Sequence, residues 1–174
     1  MTTEIPAKDY LLSVFEYKDG SLVWRSRPND HFKTARTASM WNAKFSGKVA
    51  GREMADGRYR QVMVDGVRYL EHRIIASLFD IDTTNEIDHI DGNGLNNKVE
   101  NLRAATRSQN MRNNSGWAKK ESRTGIHKKA NGTWTAYIRL EGSHKHLGTY
   151  KSQEEAVAAR SEAEANIYGE FARK

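Results

Sequence analysis

Glu86-Ile87-Asp88-His89-Ile90-Asp91-Gly92-Asn93-Gly94-Leu95-Asn96-Asn97, followed by Asn101-Leu102-Arg103 and Ser108-Gln109-Asn110, is the stretch on which the reading of this chain turns. Ile87 and Ile90 flank the Asp88-His89 pair in an alternating, strand-like run. Asp91-Gly92-Asn93-Gly94 is a turn signal, because Gly and Asn tolerate positive φ. Thr106 is placed to cap a helix that carries Gln109 and Asn110. The predicted order is strand, turn, second strand or loop, then helix. Asp88 and His89 fall on the first strand, Asn101 on the loop and Asn110 on the helix.

This layout resembles the HNH endonucleases, a family with a ββα-metal nuclease fold, and in particular their phage homing type. The family's Asp-His-x-Asp-Gly core is present as Asp88-His89-Ile90-Asp91-Gly92, with Asn96-Asn97 after it. Its Asn-Leu-Arg element is Asn101-Leu102-Arg103, and its final His-or-Asn position is Asn110. The resemblance implies that Asp88 and Asn110 bind a divalent metal, that His89 is the general base, and that Asn101 braces the loop that aims the histidine. It also implies a ββα-metal core over about residues 85–114. By itself Asp91-Gly92-Asn93-Gly94 is only a hairpin turn and His89 a surface histidine; four positions matching in register favour the nuclease.

The residue types suit that chemistry. Hydrolysis of a phosphodiester needs an activated water and a sink for charge on phosphorus and the leaving oxygen. Neutral imidazole accepts a proton near pH 7. A hard cation held by two protein oxygens keeps positions for water and phosphate. Asn rather than His as the second ligand points to Mg2+, with Mn2+ able to substitute. The chain has no cysteine, so no structural zinc of the cysteine type is expected and no disulfide.

Composition sets wider bounds. The 174 residues allow one domain or two small ones. No apolar run is long enough for a membrane span, no signal peptide is evident at Met1-Thr2-Thr3-Glu4, and the lack of cysteine suits a reducing interior. A cytoplasmic protein is therefore expected, inside a bacterial host if phage-encoded. The formal charge is +6, which favours a polyanionic partner. It is unevenly spread. Asp80 to Asn101 holds six acids and one base, as a cation site or a solvated loop would; Lys119 to Lys151 holds eight bases and two acids.

Taken in order, Ala7 to Tyr17 reads as a helix stopped at Lys18-Asp19-Gly20, and Ser21 to Arg27 as a strand. Pro28 to Ser46 lacks clear periodicity and reads as a basic loop, either ordering on DNA or a plain linker excursion. Val49 to Tyr69 reads as two or three strands, and Glu71 to Asp80 as a helix with Ile74, Ile75, Leu78 and Phe79 on its apolar face. His72 is expected to be packed against that face. After the motif, Arg103, Arg107 and Arg112 are candidates to grip phosphates.

A second resemblance covers roughly the last 50 residues. Gly125 to Lys129, Thr133 to Arg139 and Lys145 to Tyr150 read as three strands, and an alanine-rich helix opens at Ser152 or Gln153. Trp134-x-Ala136-x-Ile138-Arg139, Leu147-Gly148-Thr149-Tyr150 and Glu154-Glu155-Ala156 resemble the plant APETALA-type (ethylene-response-factor) DNA-binding domain. Period two puts Trp134, Ala136 and Ile138 on the helix side and Thr133, Thr135, Tyr137 and Arg139 on the other. His127 and Lys129 join that outer face from the first strand, and His144 and His146 from the third. The resemblance implies that this face meets the DNA major groove. The family's Arg-rich first strand is here His127 and Lys129, and its third-strand Trp is His146.

The expected architecture is α+β: residues 1–116 form an HNH nuclease domain with an N-terminal antiparallel β extension. Residues 117–174 form a small three-stranded antiparallel sheet plus one helix, as a DNA-binding domain. The expected function is a metal-dependent, homing-type endonuclease on double-stranded DNA, with catalytic His89 and Asn101, metal ligands Asp88 and Asn110, and DNA contacts from His127, Lys129, Thr135, Tyr137, Arg139, His146, Arg103, Arg107 and Arg112. The alternative is a non-catalytic DNA-binding regulator that keeps the HNH scaffold. The oligomeric state stays open, with a monomer favoured.

Overall fold

The computed structural model describes residues 4–113, 125–140 and 142–171, without the side chains of Arg112 and Glu170. It is a mixed α/β chain with small antiparallel sheets, in two compact units, Met1–Arg107 and Ser108–Lys174. Residues 114–124, where the sequence reading put its domain boundary, lie outside the described residues.

The first unit opens with helix α1 (Lys8–Val14) and a hairpin, β1 (Phe15–Lys18) with β2 (Ser21–Trp24). The predicted helix thus stops at Val14, and Phe15 to Lys18 is strand. The reason is the turn. Asp19 and Gly20 both have positive φ (42° and 86°), the two-residue geometry that matches strand twist and closes hairpins. Phe15 and Leu22 are fully buried there.

Residues 28–46 correct the expected loop. A 3₁₀ turn (Asn29–His31) leads to an eleven-residue helix, α2 (Ala35–Phe45). Thr34 and Thr37 form a capping box at its start, each side chain bonding the other's backbone amide. Ala38, Trp41 and Phe45 face inward at helical spacing; Ala38 is buried and the two aromatics pack on the core.

A three-stranded antiparallel sheet follows, with β4 (Arg60–Val64) between β3 (Arg52–Glu53) and β5 (Val67–Leu70). Helix α3 (Glu71–Leu78) buries Ile74, Ile75, Ala76 and Leu78, whereas Phe79 beyond it stays exposed. Arg73 donates to the carbonyls of Thr83 (2.6 Å) and Asn85 (3.2 Å), pinning the approach to the next strand against α3. Strand β6 (Glu86–His89) pairs antiparallel with β7 (Leu102–Ala105), and Ile87 and Leu102 join the core. Thr106 then leads into helix α4 (Arg107–Asn113), on which Asn110 lies.

The second unit holds an antiparallel sheet in which β9 (Trp134–Leu140) lies between β8 (Ile126–Lys128) and β10 (Ser143–Tyr150), followed by helix α5 (Gln153–Tyr168). Ser152 caps α5 by accepting from the Glu155 amide at 3.1 Å. Ile126, Ala136 and Ala156 form the buried cluster, with Trp134, Leu147, Tyr150 and Val157 against it.

Candidate active site

Register places Asp88 of β6 opposite Arg103 of β7. Opposed charges on paired strands attract across a short gap. Arg103 donates from Nε (2.9 Å) and Nη2 (2.8 Å) to the Asp88 Oδ2, and both side chains are largely hidden from water. Arg103, expected among the phosphate grips, is thus committed to a carboxylate. Arg107 is exposed, and the side chain of Arg112 lies outside the described residues.

His89 is 5% exposed and its Nε2 lies 3.0 Å from the Asn97 Oδ1. Asn97 is itself buried, and its Nδ2 reaches the Glu71 Oε2 over a long 3.5 Å. Glu71, fully buried in the first turn of α3, accepts from the Arg60 Nε (2.7 Å) and the Leu22 amide (2.9 Å). A carboxylate paired with arginine only accepts. The Asn97 atom facing it is therefore the amide nitrogen, Oδ1 faces His89, and the imidazole carries its proton on Nε2. In the neutral tautomer with Nε2–H, Nδ1 is the ring nitrogen without a proton.

Asn101 ties the intervening loop. Its Nδ2 donates to the Asp91 Oδ1 (2.9 Å) and the Asn96 carbonyl (2.8 Å), its Oδ1 accepts from the Asp91 amide (3.0 Å), and its carbonyl accepts from the Ile90 amide (2.9 Å). Burial opposes ionisation of Asp91, but hydrogen bonds from Asn96, the Asn93 amide and Asn101 hold its carboxyl below the usual range. Gly94 is needed for close approach: a Cβ there would lie 2.1 Å from the Arg58 carbonyl. That approach brings Tyr59 alongside, its ring 6.0 Å from His89 and 5.3 Å from His72.

His72 is buried as expected, edge-on to His89 at 5.0 Å. Burial, with the neighbouring His89 ring and the Arg73 guanidinium adding, pushes its imidazole down to about 3, so it stays neutral at pH 7. Its Nδ1 has no hydrogen-bond partner among the described residues.

Among the described residues no three His, Cys, Asp or Glu side chains converge on a common point. The Asp88 carboxylate is a hard oxygen donor of the kind that fits Mg2+ or Mn2+. Asp88 belongs to the first unit and Asn110 to the second. Arg103 already neutralises Asp88, so a cation there competes with a guanidinium.

Residues 69–112 match the family model of HNH endonuclease. The matched segment spans α3, β6, β7 and most of α4, and so takes in Glu71, His72, Asp88, His89, Asn97, Asn101, Arg103 and Asn110. Nuclease chemistry in general is what the match supports. No curated protein and no solved structure matches the chain. No helix among the described residues is long and apolar enough to cross a membrane.

On the second unit, His127, Tyr137 and His146 come together across the three strands, with ring centroids 6.2 and 4.9 Å apart. His127, Lys129, Arg139 and His146 are exposed and Tyr137 half-buried. Thr135 departs from the expected exposed face. It is 2% exposed, and its hydroxyl donates to the His127 carbonyl at 3.3 Å.

Sequence reasoning missed Glu71 and Arg60. Glu71 reads as an ordinary first-turn acid, and its partners Leu22, Arg60 and Asn97 are 49, 11 and 26 positions away. No local pattern marks it.

Proposed function

We propose that this protein is a metal-dependent DNA endonuclease of the HNH, homing-endonuclease-like type. The observation that carries the reading is the buried His89 whose Nε2 proton is engaged by Asn97, leaving Nδ1 as the base. His89 takes the proton of a water whose oxygen attacks phosphorus, and the bond to the leaving sugar oxygen breaks. Asn97 and Asn101 fix the ring and the loop beneath it. Asp88 and Asn110 would hold the divalent cation, Mg2+ by preference, which would supply positive charge against the phosphate and the leaving oxygen. Residues 1–116 act as the nuclease and 117–174 as an APETALA-type DNA-binding domain that presents His127, Lys129, Tyr137, Arg139 and His146 to double-stranded DNA, in the cytoplasm, that of a bacterial host if the protein is phage-encoded.

One observation favours the second reading, a DNA-binding regulator on the same scaffold: the Arg103 guanidinium already occupies the Asp88 carboxylate. Supercoiled plasmid incubated with and without Mg2+ separates the two. The nuclease nicks or linearises it only with the metal, and His89→Ala lowers the rate about 10²–10⁴-fold with DNA affinity nearly intact. Retention of supercoiled DNA with Mg2+ or Mn2+, or an unchanged rate for His89→Ala, overturns the catalytic reading.

A further inference from the structure

Away from His89, the first unit holds a cavity of about 540 Å³ that the proposed hydrolysis does not use. Its walls include Trp24, Phe32, Trp41 and Phe45, and its lining also includes Arg52 and Arg68. The aromatic rings form one contiguous set: Trp41 meets Trp24 edge-on at 5.0 Å, Phe45 at 5.1 Å and Phe32 at 5.7 Å. Phe32 and Trp41 are only half-buried.

The charges at this cavity are not balanced. Arg27, only 7% exposed, lies over the Phe32 and Trp41 rings at 5.2 and 5.4 Å. It is held by the Asp65 carboxylate (2.8 Å) and the Tyr10 hydroxyl (2.7 Å), and its Nη1 makes no hydrogen bond among the described residues. Asp65 therefore answers Arg27. Arg52 and Arg68 are exposed and have no ion-pair partner among the described residues. A pocket that only sealed an apolar core would need neither. An apolar partner would leave both guanidinium groups uncompensated, and a simple anion would not use the rings.

We infer that this cavity binds an unpaired nucleotide, its base stacked on the Phe32 and Trp41 rings and its phosphate held by Arg52 and Arg68. Flat aromatic faces with adjoining arginines are the chemistry that holds unstacked bases without reading their sequence. Single-stranded or locally opened DNA and a free mononucleotide both present it, and the volume suits a ligand of nucleotide size. The site stands apart from the cleavage chemistry and does not depend on it.

The test uses the full chain carrying His89→Ala, in chelator, so that no cleavage intervenes. Probes are a short oligothymidylate, thymidine monophosphate and a blunt duplex, read by quenching of tryptophan fluorescence. Arg52→Ala combined with Arg68→Ala should weaken oligothymidylate binding at least about tenfold. It should also flatten the dependence of log K on log salt by about 1.4, two contacts at ~0.7 each. Phe32→Ala should weaken it at least about fivefold, the lower end of base–aromatic stacking. Competition by the monophosphate at comparable concentration per nucleotide identifies a free nucleotide as the occupant; preference for the oligomer identifies DNA. Wild-type affinity and slope in both variants, with unchanged circular dichroism, overturn the inference, as does duplex binding that exceeds oligothymidylate binding and ignores both substitutions. Plasmid cleavage by the unmodified chain is scored separately, so failure of the nuclease reading leaves this result standing.

Discussion

The two units spend their apolar residues differently. The first packs Leu11, Phe15, Leu22, Trp24, Val62, Ile74 and their neighbours into one continuous core, and within it buries Glu71, His72, Asp88, His89 and Asn97. The second has Ile126, Ala136 and Ala156 as its described buried cluster and sets its described histidines and lysines and Arg139 on the surface. Burying charge costs several kcal/mol per ion unless partners and packing offset it. A large core can carry that cost and a small one cannot. The contrast teaches where each kind of group can sit: a fixed, buried imidazole in the first unit, an exposed charged face in the second.

The largest effect that would break this comparison concerns Glu71. Glu71→Ala leaves the Arg60 guanidinium and the Leu22 amide without their carboxylate, and should cost about 3–5 kcal/mol of stability. Urea unfolding measures it. Asn97→Ala should cost less, about 1–3 kcal/mol, because it orphans only the His89 Nε2 proton and a long contact, yet should slow cleavage with little change in DNA affinity. A Glu71→Ala protein as stable as the parent would mean the buried polar network contributes nothing to the frame.

The next effect tests the thin core. Ile126→Ala removes one of the few buried side chains of the second unit and should cost about 2–5 kcal/mol. If the two units unfold independently, the far-ultraviolet signal should unfold in two steps. The step belonging to residues 108–174 should fall while the first holds its midpoint. One shared transition, displaced as a whole, would show that the two cores cooperate and would dissolve the contrast.

How much of this was legible beforehand follows the same division. Asp88 and His89 on a strand, Asn101 on the connection and Asn110 on a helix were readable, because a turn signal and a cap sit within the motif itself. The three strands and the helix of the second unit were readable from period two and a run of alanines. Helix α2 was not, although Thr34, Thr37 and the spacing of Ala38, Trp41 and Phe45 hold its signal; the interspersed basic residues obscured the stripe. The strand at Phe15 to Lys18 lost to an apolar pattern that continues helical spacing, and only the positive φ at Asp19 and Gly20 decides it. The partners of Glu71, and the pairing of Arg103 with Asp88 rather than with phosphate, are long-range choices that no window along the chain contains.

The smallest expected effect sharpens the comparison from the side of the second unit. If its exposed face lies along duplex DNA, each cation there neutralises about one phosphate and releases about one counterion. Arg139→Ala and Lys129→Ala should then each flatten the slope of log K against log salt by roughly one unit, with cleavage per bound complex unchanged. Both side chains are exposed, so neither substitution should disturb the fold. Thr135→Ala makes the control: its hydroxyl bonds the His127 carbonyl, so it should act through stability and leave the salt slope alone. A salt titration of the four proteins on one duplex decides. If Arg139→Ala and Lys129→Ala keep the parental slope, the charged face of the second unit does not touch DNA, and the basic balance of residues 119–151 serves a partner of another kind.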